Sequence, residues 1–165
     1  MGPTVINGLP AHPLLVHIVV VLVPLSALML VASVLWPAAR RKLGFLTPLV
    51  ALATLVAVPL TTHAGEWLKA RTQPETSVLR HHADLGGQLI YWSAPVFVLA
   101  LLWWLATAPR VSTWLAARAA TVNTVATNRI TLAVLGIAAV AVAVGSVIWV
   151  YRIGESGAQS VWNPS

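Results

Sequence analysis

The chain contains no cysteine. Disulfides, thiolate metal sites, cysteine-ligated iron–sulfur clusters and covalently attached c-type haem are therefore excluded. Charge is nearly as scarce: 8% of residues are Asp, Glu, Lys or Arg, against roughly 25% in soluble domains. Such a chain has too little polar surface to face water, and lipid is its expected solvent. No Walker loop, dinucleotide-binding glycine turn, HExxH or G-x-S-x-G element occurs. No apolar segment carries paired carboxylates for a proton relay. The basic residues lie in loops, without the aromatic interleaving of a nucleic-acid platform. Pumps, hydrolases and nucleic-acid binders are disfavoured. The chain reads as no enzyme, and at most as an electron-transfer component.

What it has instead is four apolar runs, at 13–36, 43–63, 85–106 and 130–151, free of Asp, Glu, Lys and Arg. Each holds more than 20 residues, enough at ~1.5 Å per residue to cross a ~30 Å hydrocarbon core. The expectation is one all-α domain, 1–165, an integral membrane four-helix bundle. The first run does not resemble a cleavable signal peptide, because its basic cluster, Arg40, Arg41 and Lys42, follows the apolar core.

Charge sets the orientation. The connections at 37–42 and 107–129 hold Arg40, Arg41, Lys42, Arg110, Arg118 and Arg129 and no acid. Glu66, Glu75, Asp84 and Glu155 all fall on the opposite side. Positive-inside asymmetry gives an N-out, C-out protein with the basic connections cytoplasmic. Trp36, Trp103, Trp104 and Trp114 fall near the inner ends of the runs. Trp67, Tyr91, Trp92, Trp149 and Tyr151 fall near the outer ends, as anchoring aromatic belts do. Pro24, Pro48, Pro59 and Pro95 are expected to bend their helices. In 107–129 the apolar spacing predicts a short amphipathic helix or an early start to the fourth helix, capped by Asn128. The run "GIAAVAVAVG", Gly136 to Gly145, suits close helix packing.

All five histidines lie on the acidic side. His12 and His17 open the first run, His63 ends the second, and His81 and His82 precede the third. Imidazole is the commonest protein metal ligand, and helix bundles host cofactors between facing side chains. An ionisable residue inside a membrane run is a functional candidate by default. His17 lies deepest, with His82 and then His63 as partners, and these three are the candidate cofactor ligands. His12, ahead of Pro13, reads as a cap-region residue, and His81 as exposed. Glu66 and Glu155 follow glycines just past a run, where a loop would expose them. A weak echo links "HAGE" (63–66) with "RIGE" (152–155), and "AHP" with "HHA", as two hairpins of like orientation would.

Four stretches together, "HPLLVH", "AGEWLKAR", "RHHADLG" and "YRIGESGAQSVW", resemble the DUF2231 family of four-span bacterial membrane proteins. The resemblance implies a multi-pass protein of the bacterial cytoplasmic (inner) membrane without an established function. Related domains fused to Rieske-type or cytochrome c domains point to electron transfer. The family's motif histidines fall on His12, His17 and His82, and its acids on Glu66 and Glu155.

Three readings follow. The first is a b-type haem ligated by His17 with His82 or His63, exchanging electrons with an extracytoplasmic redox protein. The second is a non-haem copper or zinc site drawn from His12, His17, His63, His81, His82, Glu66 and Asp84. The third is a structural or accessory subunit of a larger membrane complex, or a homo-oligomer, with the lipid bilayer as its surroundings.

Overall fold

The computed structural model describes residues 4–71 and 76–162; Glu75 lies outside them. Helix dominates. Four helical segments are long and apolar enough to cross a membrane: Ala11–Leu35, Leu46–Lys69, Ser77–Thr107 and Arg129–Trp162. The chain enters through a small hairpin of β1 (Val5–Ile6) and β2 (Leu9–Pro10), paired Val5 to Pro10 and Ile6 to Leu9. Its turn is Asn7–Gly8, both at positive φ (50° and 80°), the conformation a two-residue hairpin loop requires. The Ala11 amide donates to the Thr4 carbonyl at 2.9 Å. This fixes the start of α1 (Ala11–Leu35).

α2 (Pro37–Leu43) carries the first basic cluster and ends at Gly44, φ 45°. α3 runs Leu46–Lys69. α4 (Ser77–Gln88) is capped by the Thr76 hydroxyl, which accepts from the Leu79 amide. After Gly86 and Gly87 the Leu89 amide closes a tight turn onto the Gly86 carbonyl, and α5 (Ile90–Thr107) continues. The 107–129 connection forms two helices, α6 (Pro109–Arg118) and α7 (Ala120–Thr127). Asn128 Oδ1 accepts from the Ile130 amide at 2.8 Å, capping α8 (Arg129–Trp162) as expected.

Several expectations are corrected. α3 runs past His63 to Lys69, and α8 past Tyr151 to Trp162. Glu66 and Glu155 therefore stand on helices, exposed, and not in loops. The outer extensions persist because helix lies against helix there: α4 packs on both α8 and α3. Pro48 falls in the first turn of α3, where a missing amide costs no helical bond. Trp103 is no interfacial anchor. It is 6% exposed, and its indole N–H donates to the Ser33 carbonyl at 3.1 Å. Trp92 and Trp149 also turn inward, their ring centres 5.9 Å apart, and Trp149 donates to the Leu85 carbonyl.

α1 packs on α3 and α8, and α5 on the same two helices. Many buried positions recur between the halves. Val19, Ser26 and Leu30 of α1 are buried, as are Leu89, Val96 and Ala100 at the corresponding turns of the second half. On the return helices Thr47, Ala51, Thr54, Val58 and Ala64 correspond to Ala139, Ala143, Ser146, Val150 and Ser156, all buried. The second half thus repeats the first as a helical hairpin of the same sense. The register differs from the sequence echo: Gly65 answers to Gly157, not to Gly154, because burial and histidine contacts, not letter identity, define equivalence. Away from these positions the surface is apolar, as at Val21, Leu28, Val134 and Ile137, each more than half exposed.

Candidate functional site

A cleft of about 870 Å³ opens between the N-terminal turns of α1, the C-terminal turns of α3, α4 and the C-terminal half of α8. Val16, Val19, Val58, Leu89, Val150 and Ile153 make its apolar walls. Residues of all four motif stretches line it: His12 and His17; Gly65, Glu66 and Lys69; His82 and Gly86; Ile153, Gly154 and Gly157. Segments far apart in the chain thus meet at one place.

Two histidines form its polar centre. His12 stands in the first turn of α1, held there by the β-hairpin, and its half-buried ring reaches across to α3. Its Nδ1 lies 3.0 Å from the Thr61 carbonyl. A carbonyl only accepts, so Nδ1 carries the proton. His82 on α4 does the same toward α8. Its Nδ1–H is shared between the Ile153 carbonyl, at 3.1 Å, and Ser156 Oγ, at 3.0 Å. The Ser156 hydroxyl itself donates to the Ile153 carbonyl at 2.9 Å. The two rings meet edge to face, centres 6.5 Å apart and planes at 76°. Fixing Nδ1–H by a carbonyl selects the tautomer whose lone pair is on Nε2. Each ring thereby donates from Nδ1, which leaves Nε2 as the nitrogen through which a histidine held in this way binds a metal.

Both rings sit against glycine. A Cβ at Gly65 would fall 2.9 Å from Cε1 and Nδ1 of His12, and one at Gly157 would fall 3.0 Å from Cε1 of His82.

The other expected site residues are placed differently. His17 lines the cleft but is exposed, and its ring folds back on its own helix, Nδ1 donating to the Pro13 carbonyl at 2.6 Å. Glu66 is an exposed rim residue. His63, His81 and Asp84 are exposed and outside the cleft lining. Helical geometry explains this: His63 is two residues from both Thr61 and Gly65, Asp84 is two from His82, and such neighbours point to different faces. Among the described residues no three His, Asp or Glu side chains gather closely enough to hold a metal ion. The pair that meets is His12 with His82. His12 lies in the cap region of α1, directly after Pro10 and Ala11, but its ring bonds across to α3 and caps no amide of its own helix.

Gly65 and Gly157 carried no sequence signal beyond lying in the motif stretches. The entry hairpin did have one, Asn7–Gly8 between apolar residues, which is the strongest short hairpin signature.

No family model, no curated protein and no solved structure matches the chain.

Proposed function

We propose that the chain is a four-helix membrane bundle of the bacterial cytoplasmic membrane, N-out and C-out, belonging with the DUF2231-like proteins its motifs resemble. In this reading His12 and His82 hold a b-type haem near the outer face, and electrons pass to or from a separate extracytoplasmic redox protein. The imidazole pair carries the proposal. Their ring centres stand 6.5 Å apart in one cleft, and both would hold the iron of a haem bound there. With only two histidines together, a planar macrocycle suits the donor set better than a bare copper or zinc ion, which needs a third protein ligand in such sites.

The cleft supports the same reading. Its volume lies within the ~300–1,000 Å³ of cofactor pockets, and an apolar wall with a few convergent polar groups is their usual lining. Haem b supplies reversible one-electron chemistry when bound. The protein's own part is to orient both rings through the Thr61 and Ile153 carbonyls and to exclude water with the valine-rich walls.

Haem quantified in protein purified from haem-replete cells tests the proposal. One haem per chain is expected; a folded, colourless preparation overturns it. Orientation has its own test, made clean by the cysteine-free background. A membrane-impermeant thiol reagent applied to intact cells labels a cysteine placed at Gln159 and spares one placed at Ala38. The reverse pattern would invert the topology.

A further inference from the structure

We infer that Gly65 and Gly157 are positioning residues: equivalent seats, one in each hairpin repeat, that set the imidazoles of His12 and His82 toward a shared site. The equivalence rests on matched geometry. His12 stands near the start of the first hairpin and donates to the carbonyl of Thr61, one helical turn before Gly65. His82 stands near the start of the second and donates to the carbonyl of Ile153, one turn before Gly157. In both the Cε1–Nδ1 side of the ring lies against the glycine, and the preceding turn's carbonyl accepts from Nδ1–H. Ala64 and Ser156, the residues before the two glycines, are both buried, so the glycines share one face register. A site fed by two such units would meet its occupant with two matched donors, and both would hold a haem iron. That last step rests on the haem reading; the seats do not.

A methyl group at either seat meets the end of a side chain, not backbone. Alanine favours helix over glycine, so the helix persists and the ring gives way. The contact is closer at Gly65 than at Gly157, 2.9 Å against 3.0 Å, with Nδ1 of His82 farther off at 3.3 Å. Gly65→Ala therefore has the larger effect. Gly87, whose Cβ would meet nothing within 4 Å, supplies the control.

The experiment uses the full chain in detergent without haem, and reads imidazole ¹⁵N resonances. The wild type shows Nδ1–H tautomers for His12 and His82. Gly65→Ala shifts the His12 resonances and leaves those of His82. Gly157→Ala does the converse, and Gly87→Ala moves neither. Ferric protoporphyrin is then titrated in. Each seat variant weakens its binding by about tenfold or more, the range for losing a group that orients a ligand. A double-mutant cycle guards against simple misfolding: the destabilisation by Gly65→Ala disappears in a His12→Ala background. Unchanged His12 resonances in Gly65→Ala, or a loss of stability that persists without the ring, overturns the inference. Resonance shifts as described, with no porphyrin binding even by the wild type, keep the seats and refute the haem reading.

Discussion

At the end where α1 and α5 finish, Leu30, Ala51, Ala100 and Ala139 are at most 2% exposed. Trp103 plugs the space between helices with its N–H on the Ser33 carbonyl. The Ser33 and Thr47 hydroxyls bridge α1 to α3 at 3.1 Å, and Gly136 lets α8 approach Val34 and Trp103. At the opposite end the same four helical segments part around a cleft of about 870 Å³, with the His12 and His82 imidazoles meeting inside it. Small residues do different work at the two ends. At the closed end Gly136 and the alanines bring helices together, the main source of association where lipid removes the hydrophobic drive between them. At the open end Gly65 and Gly157 make room for rings. One end is a clamp that sets the helix spacing; the other uses that spacing to hold a space open.

The contrast can be broken from either side. The largest effect is expected at the open end. His12→Ala or His82→Ala abolishes haem retention while the protein stays folded, as purified haem content and far-ultraviolet circular dichroism will show. At the closed end Trp103→Ala removes a buried ring and costs about 3 kcal/mol or more of stability, the range for large-to-small core changes. Unfolding titrations in mixed detergent check this, and the retained protein should still bind haem. Gly145→Ala lies between the two ends. The Trp92 ring rests directly against this glycine, so the added methyl overpacks the interface and costs about 1–3 kcal/mol. The smallest change is Asn128→Ala, which removes the side-chain cap of α8 and lowers stability by about 1 kcal/mol, leaving the cleft unaffected.

Much of this architecture is legible in one sequence, because lipid imposes a coarse code. Runs without charge must be helices, and arginine-bearing turns mark one side. The four apolar helical segments, the Asn128 cap and the packing role of Gly136 to Gly145 follow from that code. The histidine pairing does not. Depth in the membrane singles out His17, but depth says nothing about rotation around the helix axis. His12 is aimed inward by the Asn7–Gly8 hairpin ahead of it and by the glycine opposite it, features set by tertiary contact. The extension of α8 to Trp162 is equally hidden. Its polar residues look like a tail until α4 packs against them, and only then do Ile153 and Gly157 join the site. Trp103 reads as an interface anchor because an aromatic near a run's end has two outlets for its N–H, headgroup or carbonyl, and only the packed helices select Ser33.

The most direct test of the central claim compares absorption spectra of the haem-loaded protein and its four single-histidine variants at positions 12, 17, 63 and 82. The account predicts a six-coordinate haem spectrum for the wild type, unchanged in His17→Ala and His63→Ala and lost in His12→Ala and His82→Ala. A spectrum that survives loss of both His12 and His82 in the double variant, or that vanishes in His17→Ala alone, contradicts it.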